Sequence, residues 1–163
     1  MNREIKFRGI AIEGEDKGNF VYGSYVYDDV REKHIICSFD TEVEGCELYD
    51  SYGTLVPVDI VTRVNKDTVG QYTGLEDKNG RKIYEGDVLK QVKKSSREDY
   101  ESSSYDKNNF EVVFKYGSFW LQRPYGDTVY IRAFPNIDEF VGFECFEIVG
   151  NIYENPELLN INK

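Results

Sequence analysis

One histidine, one methionine, one tryptophan, four prolines and three cysteines are all that 163 residues contain of these types. Each shortage excludes something. With His34 as the sole imidazole, a hydrolase triad or a histidine-based metal site is poorly supplied. The cysteines, Cys37, Cys46 and Cys145, are odd in number and lack CxxC spacing, so they read as reduced thiols packed as small apolar residues. Positive charge is also short: 20 Lys and Arg stand against 30 Asp and Glu, giving a formal charge of −10 and a pI near 4.7. Such a field repels a phosphate backbone unless the few cations gather on one face. No apolar run approaches the ~18 residues of a membrane span, and the start MNREIKFR has no signal-peptide hydrophobic segment. The chain is therefore expected to be cytoplasmic and away from membranes.

What is plentiful is aromatic. Thirteen tyrosines and ten phenylalanines, together with valine, favour a β-rich globule over a helix bundle. Short β-forming runs separated by turn residues fill the first half: 5–12, 20–27, 34–39 and 55–61. Pro57 marks the last of these as an edge or entry segment. His34 and Cys37 are an odd number of positions apart on one such run, so they project to opposite faces and cannot share a metal or act as nucleophile and base. From residue 68 onward the turns are sharper. Strands are expected at 68–73, 81–84, 87–92, 110–116, 119–123, 128–134 and 146–153. Turns are expected at Asn79-Gly80, Glu85-Gly86, Gly117-Ser118 and Pro124-Tyr125-Gly126-Asp127, with a bulge at Gly150. Asn136 would cap a short helical turn over 137–141, and Asn155-Pro156-Glu157 would open another at the end. These spacings predict a mainly β protein with an N-terminal β-rich segment, 1–65, and a C-terminal small closed barrel of SH3-like form, 66–163. A long polar loop without aliphatic residues, Lys93 to Asn109, interrupts the second part and is expected to be mobile.

Carboxylates are so common that pairs arise by chance. Asp28-Asp29, Glu42 with Glu44 and Glu47, Asp138-Glu139, and Glu85 with Asp87 could each serve a divalent cation or acid–base chemistry, and each reads more simply as surface acid or turn. Glu85 and Asp87 flank a glycine bend at a strand entry, where Asp would bond backbone amides. The densest basic run, Lys90, Lys93, Lys94 and Arg97, could contact nucleic acid, but Glu98, Asp99 and Glu101 follow at once. Tyr100, Tyr105 and Tyr125 could anchor a protein partner or be ordinary loop residues. No catalytic residue, cofactor or metal site is expected.

The stretch Gln71-Tyr72-Thr73-Gly74-Leu75-Glu76-Asp77-Lys78-Asn79-Gly80-Arg81-Lys82-Ile83-Tyr84-Glu85-Gly86-Asp87-Val88 resembles the YopX family of phage and prophage proteins. So do the opening Arg3-Glu4-Ile5-Lys6-Phe7-Arg8 and the ending Val149-Gly150-Asn151-Ile152-Tyr153-Glu154-Asn155-Pro156-Glu157-Leu158-Leu159, in the same order. The stretches 41–53 and 93–109 match no motif. The resemblance implies an SH3-like barrel in the C-terminal half and a phage setting, and it carries over no catalytic residue or cofactor. The expectation is a non-enzymatic protein-interaction module that binds a host or phage protein, as a homo-oligomer. The alternatives are a nucleic-acid-binding protein using the Lys90 to Arg97 cluster, or an acidic mimic of DNA.

Overall fold

In a computed structural model, residues 4–39, 48–49, 55–56, 59–92, 109–125, 128–133 and 146–159 are described. The expected helical turn at 137–141, the interior of the polar loop, Cys46, Cys145 and the acids at 42–47 and 138–139 lie outside them. The fold is mainly β, as the aromatic and β-branched content predicts. Among the described residues the helical elements are two short 3₁₀ turns, Lys66–Thr68 and Pro156–Leu159, and no helix is long and apolar enough to cross a membrane. The chain separates into two compact units, divided between Gln71 and Tyr72.

The N-terminal unit is an antiparallel sheet. Strand β1 (Phe7–Ile10) pairs with β2 (Phe20–Asp28), β2 with β3 (Lys33–Phe39) and β3 with β6 (Asp59–Arg63). Two short strands, β4 (Leu48–Tyr49) and β5 (Leu55–Val56), form a separate pair in the connection. The beginning of β7 (Gly70–Glu76) adds to the other edge through Phe7↔Gln71 and Arg8↔Gly70. Asn65 caps the first 3₁₀ turn with its side chain, and Thr68 Oγ1 accepts from the Ile10 amide at 2.9 Å while donating to the Asn65 carbonyl. On one face of β2 and β3, Ile36 is buried and Tyr25 Oη lies 2.6 Å from His34 Nδ1, with Phe7 packed on the Tyr25 ring. Burial, reinforced by neighbouring Tyr27, pushes the Tyr25 phenol above its ordinary range. Arg8 is buried with its guanidinium 4.5 Å over the Phe20 ring.

The C-terminal unit holds the larger core. The rest of β7 pairs with β8 (Lys82–Tyr84), and a five-stranded sheet runs β12 (Thr128–Ala133), β11 (Ser118–Tyr125), β10 (Asn109–Lys115), β9 (Asp87–Gln91), β13 (Phe146–Asn151). The register Leu89↔Phe110 and Leu89↔Ile148, with Val112↔Leu121, gathers apolar side chains on one face. Phe110, Val112, Leu89 and Ile83 are essentially inaccessible, and Phe119, Leu121, Phe146 and Ile148 complete the cluster. Val88 and Val113, on the other face by alternation, are buried too, so β9 is covered on both sides.

Closure into a barrel is not borne out. Strands β12 and β13 are the two ends of the sheet, and they do not pair with each other among the described residues. The physical reason is at β13. Lys78 N donates to the Phe146 carbonyl at 3.0 Å, Ile148 N donates to Asp77 Oδ2 at 3.1 Å, and Arg81 Nη1 donates to the Ile148 carbonyl at 3.2 Å. The turn after β7 thus occupies the edge that another strand would need. The bulge falls where expected, with the register shifting between Ile148 and Gly150. A Cβ at Gly150 would collide with Asn155 Oδ1 and come within 2.7 Å of Leu158 Cδ1, so glycine lets the terminal 3₁₀ turn pack on β13.

Candidate interaction surface

The motif-rich stretch 71–88 is the natural first place to seek chemistry, and its polar groups serve the backbone. Asp77, 5% exposed, accepts at Oδ1 from the amides of Asn79 (2.8 Å) and Arg81 (3.0 Å), besides its Oδ2 bond to Ile148. Burial pushes this carboxyl up, and the amides of Arg81, Ile148 and Asn79 with the Arg81 charge outweigh it, leaving it below the usual range. Asp87 Oδ2 accepts from Tyr84 N at 2.8 Å, Thr73 Oγ1 donates to the Ile83 carbonyl, and Glu85 Oε1 accepts from Phe114 N at 3.2 Å. Gly86 bridges strands, donating to Val112 O and accepting from Ile152 N. The terminal motif behaves alike: Asn151 Oδ1 accepts from the amides of Tyr153 and Glu154. Among the described residues, no group of three or more His, Cys, Asp or Glu side chains could hold a metal ion.

Aromatic surface collects instead at the tip of the β10–β11 hairpin. Lys115 pairs with Ser118, so the two loop residues are Tyr116 and Gly117, at φ 53° and 77°. Both values are positive, which is the type I′ geometry whose twist matches the flanking strands. Glycine enters that region freely, whereas a tyrosine there is strained. Tyr116 is nonetheless 86% exposed. Its ring meets Trp120 edge-on with centroids 6.1 Å apart, and Trp120 Nε1 donates to the Lys115 carbonyl at 2.8 Å. Phe114, half exposed, stacks edge-on to buried Phe119 at 5.1 Å. The strand beneath is stiffened by polar contacts: Lys115 Nζ donates to Gln122 Oε1, and Gln122 Nε2 reaches Glu111 Oε2 at 3.5 Å. Burial raises the Glu111 carboxyl above its ordinary range, opposed by Lys115 and assisted by Glu85.

Of the residues singled out in the sequence, Tyr100, Tyr105, Lys93, Lys94 and Arg97 lie outside the described residues, and Tyr125 is described only as the last residue of β11. Lys90 is exposed on β9, where it stands opposite Asn109 and Glu147 in the ladder. Glu147 itself is 2.7 Å from Lys78 Nζ, a hydrogen bond that holds its carboxyl low. His34 pairs with Tyr27 and Cys37 with Ser24, on opposite faces of β3. The hairpin-tip aromatics were not among the sequence candidates, because placing the turn at Gly117-Ser118 puts Tyr116 on the strand and Phe114 in the core. The signal available was the Tyr-Gly pair itself, since glycine is favoured at the second position of a type I′ loop.

No curated protein matches the chain. Among solved structures it is similar to the crystal structure of protein EF1440 from Enterococcus faecalis, at 19% identity and a TM-score of 0.43, over 98% of this chain and 100% of that one. The family model described as YopX protein matches residues 6–160. With nearly its whole length matched, the chain belongs to the YopX family.

Proposed function

We propose that this chain is a non-enzymatic protein-interaction module of phage or prophage setting, working in the host cytoplasm and engaging a host or phage protein through the β10–β11 hairpin tip. The observation that carries this reading is Tyr116: an aromatic residue held at positive φ and 86% exposed contributes little to the core while presenting a rigid anchor. Trp120, in edge contact with its ring, is of a type that dominates binding energy at interfaces, whereas Phe114 projects to the other face of the hairpin, against Phe119. The engagement of Asp77, Asp87 and Thr73 with backbone groups supports a structural use of the family's central motif over a catalytic one. Nucleic-acid binding through Lys90 is disfavoured by Glu147 opposite it and by the overall −10 charge. An SH3-like relation of the C-terminal unit, as an open sheet in which the turn after β7 stands at the β13 edge, belongs to the same proposal.

The test is site-specific photo-crosslinking in host cells expressing the full chain. A benzoyl-phenylalanine at position 116 is expected to give a discrete adduct that the same probe at exposed Val30 does not give. Adducts identical from both positions, or none from 116, would overturn the proposal.

A further inference from the structure

At the β13 edge of the C-terminal sheet, two side chains stand in for a strand. Ile148 gives both of its backbone groups to the turn after β7: its N–H donates to Asp77 Oδ2 at 3.1 Å, and its carbonyl accepts from Arg81 Nη1 at 3.2 Å. A carboxylate oxygen thus sits where a neighbouring strand would offer C=O, and a guanidinium N–H where it would offer an amide. Two residues back, the Phe146 carbonyl accepts from Lys78 N at 3.0 Å. In an antiparallel ladder, groups two residues apart point to the same edge, so these three bonds occupy the outer edge of β13 from 146 to 148.

The turn that does this is held by one buried group. Asp77 is 5% exposed, and its other oxygen accepts from the amides of Asn79 and Arg81, which fixes the shape of the turn. Lys78 and Arg81 themselves are exposed. The turn is therefore a small local structure laid over a sheet edge, and an uncovered edge is a template for another strand.

The groups on that edge select their occupant. Ile148 presents a donor and an acceptor side by side, which is self-complementary: a second β13, antiparallel about a two-fold axis through Ile148, returns the same two bonds. In that register Glu147 stands opposite Val149 of the other copy, so like charges do not face each other directly. Lys90, opposite Glu147 in the β9 ladder, stays in place to balance that carboxylate when Lys78 leaves it.

We propose that the turn 77–81 is a cap on a self-pairing edge: with it seated, the sheet ends at β13, and with it displaced, two copies of the chain join through β13 into one continuous sheet.

Sedimentation equilibrium of the full chain, with a spin label at position 149, tests it. The label is carried by Val149→Cys in a Cys37→Ser, Cys46→Ser, Cys145→Ser background. A pair centred on Ile148 sets the two labelled positions diagonally across the axis, with Cβ atoms about 7–8 Å apart. Asp77→Ala is expected to strengthen self-association at least about tenfold over the capped chain and to bring dipolar broadening at position 149, while a label on Val30→Cys stays sharp. Arg81→Ala, which removes only the exposed donor, is expected to strengthen association by about twofold or more with the same broadening, and it decides alone if Asp77→Ala does not fold. Adding Tyr116→Ala is expected to change neither readout, so failure here and failure of the hairpin reading are separable. Association without broadening at 149, broadening equal at 149 and 30, broadening as strong in the capped chain, or variants that associate no more than that chain would overturn the proposal.

Discussion

Replacing Asp77 by alanine should be among the most destabilising single changes in the C-terminal unit. Its carboxylate accepts three backbone amides from two parts of the chain, at 2.8, 3.0 and 3.1 Å, and it is 5% exposed. Each buried N–H left without an acceptor costs about 1–3 kcal/mol. Only the Ile148 amide is buried, and water can partly replace the carboxylate at the amides of Asn79 and Arg81, so the expected cost of Asp77→Ala is about 2–4 kcal/mol. Asp77→Asn retains one carbonyl oxygen and turns an N–H₂ toward at least one amide, for an expected cost of about 1–2 kcal/mol. Urea unfolding monitored by Trp120 fluorescence gives both values. Native-state hydrogen exchange adds a local readout, since Ile148 N should exchange much faster in Asp77→Ala. The pH dependence has a definite sign. The folded-state pKa of Asp77 is lowered, so its contribution is fully present above the ordinary carboxylate range near pH 4 and is lost as pH falls through the folded value. The alanine variant should therefore show a shallower acid limb of stability. A midpoint within about 0.5 kcal/mol of wild type, or unchanged protection at Ile148, would refute the assignment of the turn as the clasp on β13.

Gly150→Ala should destabilise by roughly 1–3 kcal/mol and loosen the terminal 3₁₀ turn, because its Cβ would meet Asn155 and Leu158; thermal melts and amide exchange at Leu158 check this. Tyr116→Asn should stabilise the fold by about 0.5–1 kcal/mol, since asparagine tolerates positive φ better, while weakening partner binding. Equal or lower stability of Tyr116→Asn in urea would remove the strain from the reasoning.

Much of the β architecture was legible in the sequence because turn chemistry is local. Asn79-Gly80 and the bulge at Gly150 each require particular backbone angles that only a few residue types supply. The parity rule placed His34 and Cys37 on opposite faces for the same reason. The open sheet was not legible, because what replaces closure is a long-range contact: Asp77 and Ile148 are 71 positions apart, and nothing near either residue announces the other. The hairpin tip was missed by one residue. Alternation along 110–116 fits Phe114 to the core face, and only the pairing of Lys115 with Ser118 reveals that the strand ends there and turns Tyr116 outward.

The proposed activity is the binding of a protein through Tyr116 and Trp120. The most direct measurement is the affinity of the purified cross-linked partner for wild type and for Tyr116→Ala, Trp120→Ala and Val30→Ala. Roughly tenfold or greater weakening is expected for the first two and less than about twofold for the third, at unchanged fold. Equal affinity across all three variants would contradict it.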